Sequence, residues 1–440
     1  MIMPSGPGDL HSEARMALWR RARHTALCEP HASDGEGAIL PPGVLQGPGF
    51  LYRPLQILVE TGIMQTQPVE NELVNRYGGS RDDKLSGRLA KAGLPIEVFT
   101  MPPEVYLPGL VARLRERPYG EWDAPAANVS VNTVFCGEAG SYHGGPYGEP
   151  ASQNPFSETR YGTPAKGAPE IAVLDTGYDA QIATLHPGLK PRVAWQSGPG
   201  SPETILDGLY LAQEAGHGTF IEGIIMQLAP QMNISQVQVL TPDGATDDIT
   251  VGLAIKALRN RAPVINLSLG GYTQGDTPPP NTNAAIAALP DTVVVVAAAG
   301  NNQSSEQFWP AACKPVVSVG ALDTTQNPMR VAGFSNYGPW VDVYAPGVDV
   351  YSTYLDGNWK LPSDPASWYI DGYATWSGTS FAAPQVAAAI ANTLLQSGGT
   401  ARQAWNTVSN QTTWLPVTGL RGITGVHVHT PPSPGVIFPA

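Results

Sequence analysis

The sequence has few charged residues, few cysteines and no hydrophobic run long enough to cross a bilayer. Only 14% of its 440 residues are charged, which indicates a large buried core with few charged surface helices. The three cysteines, Cys28, Cys136 and Cys313, are too few and too widely spaced for a disulfide framework or a zinc site. We therefore expect free thiols in a reducing compartment.

The N-terminal region has no apolar stretch of signal-peptide length. Its basic cluster, Arg20, Arg21 and Arg23, follows the apolar residues instead of preceding them. A cytoplasmic protein is therefore expected, and a secreted one only if the true start differs. The net charge of -12 argues against a broad phosphate-neutralising face. We expect no nucleic-acid and no membrane partner, and the oligomeric state stays open.

Glycine and proline are abundant, at 48 and 43 residues, but they do not recur with a fixed period. This distribution excludes collagen-like and repeat architectures. The chain is long enough for two or three domains. Composition and periodicity divide it into a poorly ordered tail (1–47), a small α/β module (48–120), a flexible linker (121–168), a large α/β domain (169–400) and a C-terminal extension (401–440).

The N-terminal part alternates short strand and helix patterns. A brief helical stretch near Glu13–Arg23 is predicted within the tail. In the module, strands are predicted at Gln56–Glu60 and Ile96–Thr100, and helices at Val69–Arg76 and Glu104–Arg115. Within the linker, only Val129–Phe135 has a strand pattern.

From residue 170 onward, short Val/Ile runs alternate with helical segments. The strand candidates are Ile171–Leu174, Gln236–Leu240, Val264–Leu269, Val293–Ala298, Val316–Val319 and Val341–Tyr344. The helix candidates are Gly218–Gln227, Ile249–Arg259 and Asn281–Ala288. This pattern predicts a doubly wound, mostly parallel sheet with helices on both faces. Active sites in such sheets lie beyond the carboxyl ends of the strands.

Four segments place reactive side chains at such positions. An apolar strand ends in Asp175, His217 lies between two glycines at a helix start, and a buried strand ends in the Gly300-Asn301 turn. In Ser377–Ala391 a small polar turn leads into an alanine-rich helix with Ser380 near its start. That position offers backbone N–H groups to a developing oxyanion. Taken singly, each residue also fits a purely structural role, as a turn residue, a core histidine or a helix cap. Pro384 is expected in the first turn of the helix.

Together the four segments resemble the active-site signatures of the subtilisin-like serine peptidases, the subtilases. The order Asp, His, Ser is that of the family. The serine segment matches Gly-Thr-Ser-x-Ala-x-Pro-x-x-Ala-Ala in full, Val-Leu-Asp-Thr-Gly matches closely, and Gly-Asn matches the oxyanion segment. The resemblance covers about residues 165–400, and it implies a serine endopeptidase acting on proteins or peptides.

Carried over to this chain, the resemblance makes Ser380 the nucleophile, His217 the general base and Asp175 the residue that orients the imidazole. Asn301 would donate to the oxyanion together with the backbone N–H of Ser380. The resemblance also implies a substrate-binding strand at Ser268, Leu269 and Gly270, and a pocket wall at Ala298, Ala299 and Gly300.

The chain departs from the family pattern at several positions. Phe220 replaces a second histidine, Glu222 replaces a small residue, and Phe381 replaces an oxidisable methionine after the nucleophile. The short stretch from Met226 to Gln238 lacks the loop that forms a calcium site in many relatives. We therefore expect no metal and no cofactor.

Two alternatives stay open beside this interpretation. A sedolisin uses a similar serine turn but pairs it with glutamate and has aspartate in the oxyanion hole, and His217 and Asn301 argue against it. A non-catalytic binding or regulatory protein on the same scaffold is the second, although such proteins usually lose a triad member and none is lost here. The module at 48–120 is expected to be a propeptide or an attached accessory domain.

Overall fold

The computed structural model describes residues 44–47, 49–61, 66–116, 129–137, 150–153, 164–177, 182–189, 193–197, 210–212, 214–241, 244–360, 367–416 and 425–429. Most of the predicted tail, including the expected helix near Glu13–Arg23 and the thiol of Cys28, lies outside these residues.

The strands, in chain order, are β1 Leu45–Gly47, β2 Phe50–Glu60, β3 Ser80–Arg81, β4 Ile96–Thr100, β5 Val129–Gly137, β6 Ala151–Ser152, β7 Glu170–Asp175, β8 Val193–Ser197, β9 Asn233–Gln238, β10 Ala245–Asp247, β11 Val264–Leu267, β12 Leu269–Gly270, β13 Val294–Ala298, β14 Val317–Asp323, β15 Arg330–Val331, β16 Val343–Pro346, β17 Val350–Lys360, β18 Ser367–Trp376, β19 Thr413–Pro416 and β20 Gly425–Val428.

The helices are α1 Thr66–Asn71, which continues as a π-helix over Glu72–Arg76, α2 Asp83–Lys91, α3 Leu107–Glu116, α4 Ile182–Leu185, α5 His217–Leu228, α6 Asp248–Leu258, α7 Pro280–Ala287, α8 Thr379–Ser397 and α9 Ala401–Asn410. Within the described ranges, no helix is both long and apolar enough to cross a membrane.

The large domain is built on a sheet with the strand order β8-β9-β7-β11-β13-β14-β16-β20-β19. The pairs from β8 to β20 are parallel, and only β19 and the short β15 pair antiparallel. Successive residues of β7 face opposite sides. Ile171 packs with α5 and α8, whereas Ala172 packs with α6 and α7. The predicted doubly wound sheet with helices on both faces is therefore confirmed.

The N-terminal module is a small antiparallel sheet with the order β5-β2-β4-β3, covered on one side by α1 and α3. Its other side contributes Leu58, Leu89 and Val98 to the apolar cluster that includes Ile255 of α6 and Ile286 of α7. Two polar contacts cross the same boundary: Arg53 pairs with Asp247 at 3.0 Å, and the Arg115 guanidinium donates to the Gln274 carbonyl at 2.9 Å. The module thus packs its sheet on two helices of the large domain.

Strand β5 belongs to both parts of the molecule. Its first half pairs antiparallel with β2 of the module. Its second half pairs antiparallel with β10 on one side and β12 on the other, with Leu269 opposite Gly137. The predicted strand at Val129–Phe135 is thus present and extends to Gly137. Its position between the module and the large domain depends on pairing with distant strands, which local sequence periodicity does not indicate.

A long hairpin, β17–β18, lies against α5 and leads directly to the serine segment. Its second strand also pairs with the short β6. The sequence pattern did not predict this hairpin. The run Asp356-Gly357-Asn358 is typical of a turn, yet it lies inside strand β17. The register of the hairpin shifts just before it, between Thr353 and Asp356.

Candidate active site

Asp175 and His217 form a buried pair at the carboxyl edge of the sheet. Asp175 is the last residue of β7, and its Oδ1 accepts from Nδ1 of His217 at 2.8 Å. The same oxygen accepts from the backbone N–H of Thr176 at 2.8 Å. Both side chains are fully buried. A buried carboxylate held by two donors fixes the orientation of the imidazole and leaves Nε2 pointing away from it.

The loop before His217 is held in place by its surroundings. Gly216 has a φ of +82°, and a β-carbon there would lie 2.8 Å from the Tyr354 ring, so only glycine fits without strain. The Tyr354 hydroxyl donates to the Ala215 carbonyl at 2.5 Å. The N–H of Gly218 donates to Thr176 Oγ1 at 3.1 Å, which ties the start of α5 to the end of β7.

Ser380 is the second residue of α8, so its N–H belongs to the first turn, where helix N–H groups have no intrahelical acceptor. Its Oγ donates to the Ser268 carbonyl at 3.5 Å. Among the described residues, Nε2 of His217 has no hydrogen-bond partner. Catalytic hydrogen bonds are often loose until substrate binds, so a rotation of the serine hydroxyl toward Nε2 is expected on binding.

Pro384 lies in the second turn of α8, so the expectation that it marks the first turn was wrong. A proline there has no N–H to donate to the carbonyl of Ser380. The hydroxyl of Ser268 donates to that carbonyl instead, at 2.8 Å. Ser268, expected from the sequence only as part of a substrate-binding strand, therefore also anchors the backbone of Ser380.

Asn301 is oriented by its contacts with Thr379. Its Oδ1 accepts from both the backbone N–H and the hydroxyl of Thr379, each at 2.9 Å. Because the backbone N–H can only donate, the oxygen of the amide must face Thr379 and the NH₂ group must face away from it. This is the orientation that an oxyanion donor beside Ser380 requires.

The turn that carries Asn301 is shaped by Asn336, which sequence reasoning missed. Its Nδ2 donates to the Ala299 carbonyl at 2.9 Å, and its Oδ1 accepts from the N–H groups of Asn302 and Ser304. A single asparagine in a Gly-rich loop gives no sequence signal for such a role. Ala298 and Ala299 are fully buried at the end of β13, and their role as a pocket wall stays a prediction.

Aromatic rings enclose His217. The rings of Trp376 and Phe381 have centroids 5.8 and 5.5 Å from that of the imidazole, and Phe220 packs on Phe381 at 4.6 Å. Phe220 and Phe381, the departures noted in the sequence, thus belong to one apolar cluster that keeps water away from the imidazole. Glu222, the third departure, is also buried in α5.

Two buried groups outside the Asp175–His217 pair have shifted pKa values. Burial, with a smaller contribution from the charge of Glu214, raises the pKa of Cys136 to about 12. Burial also raises the pKa of Asp248, whose carboxylate accepts from the N–H groups of Asn281 and Thr282 and so caps α7. Within the described ranges, no cluster of side chains could hold a metal ion.

Comparisons with known proteins identify relatives of this chain. The model of the subtilase family matches residues 167–416. The thermophilic serine proteinase of Bacillus sp. (strain AK1) is 37% identical over 291 residues, which are 63% of this chain but only 64% of that relative. Subtilisin BL of Lederbergia lenta is 36% identical over 257 residues, covering 56% of this chain and 82% of the relative.

The fold is also found among solved structures. Fervidolysin from Fervidobacterium pennivorans, described as a keratinolytic enzyme related to subtilisin, matches with a TM-score of 0.54 and 20% identity. The match covers 89% of this chain and 61% of that one, so it extends beyond the residues of the family match. On the family match and these relatives, the chain belongs to the subtilase family of serine peptidases.

Proposed function

We propose that the chain is a serine endopeptidase that hydrolyses peptide bonds through an acyl-enzyme intermediate, with Asp175, His217 and Ser380 as its triad. The observation that carries the proposal is the buried 2.8 Å hydrogen bond between Asp175 and His217, together with Ser380 in the first turn of α8. A buried carboxylate–imidazole pair beside a helix-start serine is the arrangement that nucleophilic catalysis requires.

In the reaction, Ser380 Oγ attacks the substrate carbonyl while Nε2 of His217 takes the hydroxyl proton. Asp175 holds the imidazole in the required tautomer and stabilises the imidazolium that forms. The Asn301 amide and the N–H of Ser380 donate to the oxyanion. The imidazolium then gives its proton to the leaving amine, and a water molecule, activated by the same histidine, hydrolyses the acyl-enzyme.

Protein or peptide substrates would bind in extended form between β10 and β12. Strand β5 already makes such contacts, because it pairs antiparallel with both strands. Strand addition gives affinity through backbone hydrogen bonds and leaves selectivity to the side-chain pockets. Leu269 and Gly270, expected from the sequence as substrate-binding residues, are the partners that β5 uses.

We further propose that residues 48–120 form a propeptide-like module, with 121–168 as the connection that is cut and 169–400 as the peptidase domain. The module packs on α6 and α7, and β5 lies in the cleft between β10 and β12. Both contacts support this organisation. The competing interpretation is an accessory domain that stays attached. Both interpretations leave the triad unchanged, and they differ in whether the chain is cut.

Two experiments test these proposals. Cleavage of a peptide library by the purified protein, with Ser380→Ala as control, tests the activity. A wild-type protein that cleaves no peptide would instead favour the non-catalytic alternative. Intact-mass spectrometry tests the module. We expect wild type to be cut between residues 119 and 168 and Ser380→Ala to stay full length. An uncut wild-type chain with full activity would rule out the propeptide.

A further inference from the structure

Three consecutive residues of β17 hold the segment that carries His217. Ser352, Thr353 and Tyr354 each donate a side-chain hydroxyl to a backbone carbonyl of this segment. The acceptors, in the same order, are the carbonyls of Phe220 at 2.6 Å, Thr219 at 2.9 Å and Ala215 at 2.5 Å. The first two belong to α5, whereas that of Ala215 lies in the turn before the helix. The hairpin is therefore bonded to the backbone on both sides of His217.

A β-bulge lies where Tyr354 leaves the regular ladder. Between Thr353 and Asp356 the register shifts, because β17 has one residue more there than β18. A bulge bends the strand and re-aims a side chain. The fully buried ring of Tyr354 lies against Gly216, and its hydroxyl reaches the neighbouring carbonyl of Ala215. The local shape of β17 thus directs a phenol group at the turn before α5.

The turn before α5 sets the position of His217. The N–H of His217 donates to the Glu214 carbonyl at 3.1 Å, and the N–H of Phe220 donates to the Gly216 carbonyl at 2.8 Å. Ala215 lies between these two acceptors, so a movement of its carbonyl would alter both bonds and displace the imidazole. Such displacements matter because a misplacement of about 1 Å can lower a reaction rate by about 100-fold.

The hairpin also connects the proposed base to the proposed nucleophile. Its second strand, β18, ends at Trp376 and leads within a few residues to Ser380. The ring of Trp376 packs edge to face on two others, with its centroid 5.7 Å from that of Tyr354 and 5.8 Å from that of the His217 imidazole. One strand of the hairpin thus contacts the helix of His217, and the other continues into the helix of Ser380.

We propose that Tyr354 is a positioning residue, whose hydroxyl holds His217 in line with Ser380 through the Ala215 carbonyl. This inference rests on the proposed peptidase function. Without the hydroxyl, a buried carbonyl loses this donor and the turn is held less tightly. Tyr354 acts through His217 and not on the substrate, so its loss should lower kcat by about tenfold and leave KM nearly unchanged.

The test compares three variants of the full chain. Tyr354→Phe removes the hydroxyl and keeps the ring against Gly216. Thr353→Val removes the neighbouring hydroxyl, whose acceptor lies within α5. Tyr344→Phe is the matched control, because Tyr344 is also buried and its hydroxyl has no hydrogen-bond partner among the described residues. Rates on a fluorogenic peptide are divided by the number of serines that a fluorophosphonate labels at completion, which removes differences in the folded fraction.

We expect Tyr354→Phe to lower kcat and the rate constant of labelling by the same factor of about ten, with KM within about twofold of wild type. Thr353→Val should lose clearly less, and Tyr344→Phe should match wild type. An unchanged kcat in Tyr354→Phe would overturn the inference. An equal loss in Thr353→Val would overturn it as well, because the docking of α5 as a whole would then be the cause.

A second readout needs no catalysis. In the full chain carrying Ser380→Ala, adding Tyr354→Phe should speed hydrogen exchange at the N–H groups of His217 and Phe220, and adding Tyr344→Phe should not. Equal exchange in the two double variants would overturn the inference even if the peptidase is active. If wild type neither cleaves peptides nor takes up the label while exchange differs as expected, the proposed function fails and the hold of Tyr354 on the turn is supported.

Discussion

The two sides of Ser380 are held by different means. On one side, Asp175, His217 and Asn301 are fixed by hydrogen bonds within the parallel sheet and its helices. On the other side, the cleft strands β10 and β12 find their hydrogen-bond partner in β5, a strand that also belongs to the N-terminal module. Under the proposed function, the first side is preorganised for chemistry, and the second is the peptide-binding site, which β5 occupies. Changes on the first side should alter the rate of the reaction, and changes on the second should alter access and selectivity.

The largest effect is expected from the triad. Ser380→Ala and His217→Ala should each lower kcat by about five orders of magnitude or more, and Asp175→Ala by somewhat less. Because the three act as a unit, the double variants should be scarcely worse than the single ones. Initial rates on a fluorogenic peptide measure this, with circular dichroism to verify folding. Retained activity in Ser380→Ala would show that Ser380 is not the nucleophile.

Asn301→Ala should lower kcat by about 100- to 1,000-fold with little change in KM, a magnitude known from a subtilisin. The reason is that its amide donates to the oxyanion that forms during the reaction. The matched control is Asn302→Ala, because the neighbouring amide accepts from the Tyr272 hydroxyl within the loop. A loss in Asn302→Ala as large as that in Asn301→Ala would mean that the loop, and not the donor, is what matters.

On the second side, Phe135→Ala should release β5 from the cleft. Phe135 is fully buried in the apolar cluster that contains Leu269 and Ile249, and removing a buried phenylalanine costs about 3–5 kcal/mol. The uncut full chain should then hydrolyse a short peptide faster than wild type, and Phe135→Leu should fall between them. A Phe135→Ala chain that stays uncut and no faster than wild type would show that β5 does not limit access.

Peroxide should have little effect on activity. Phe381 follows Ser380, the proposed nucleophile, and packs on His217, and an aromatic hydrocarbon ring offers no thioether for oxidation. Phe381→Met should make the protein lose activity in peroxide, and the comparison of the two remaining activities after equal exposure measures the effect. An equal loss of activity in wild type and Phe381→Met would mean that the oxidised group is not the residue at position 381.

The smallest effect is expected from chelation. The turn between α5 and β9 is short, and no metal cluster occurs in the part of the chain that the structure describes. EDTA should leave the unfolding temperature unchanged. A decrease of many degrees that calcium reverses would contradict this.

The same comparison explains what the sequence could predict. Six strands of the large sheet, β7, β9, β11, β13, β14 and β16, were located closely, since uninterrupted Val/Ile runs such as Val294–Ala298 indicate strands buried on both faces, whereas β8, β15, β19 and β20 were missed. The candidate triad residues were chosen because each follows such a run or lies near the start of a helix, and their roles stay predictions. The exact bounds were less accurate. β9 begins at Asn233 and not at Gln236, because Ser235 is buried by pairing with Glu170 in a way that its polarity does not suggest.

What the sequence could not predict depends on contacts between distant segments. The helix α2 and the hairpin β17–β18 were missed, and so were the position of β5 and the bonds of Ser268 and Asn336 to the active-site backbone. Antiparallel pairing of Gly137 with Leu269 joins residues far apart in the chain, and local periodicity carries no information about it.

The most direct test of the account is labelling by a fluorophosphonate, which reacts with a serine that is activated by a neighbouring base. We predict that one equivalent is added to folded wild-type protein, that peptide mapping assigns it to Ser380, and that the labelling is absent in Ser380→Ala and in His217→Ala. Folded protein that takes up no label, or takes it up at another residue, would contradict the assignment of Ser380 as the nucleophile.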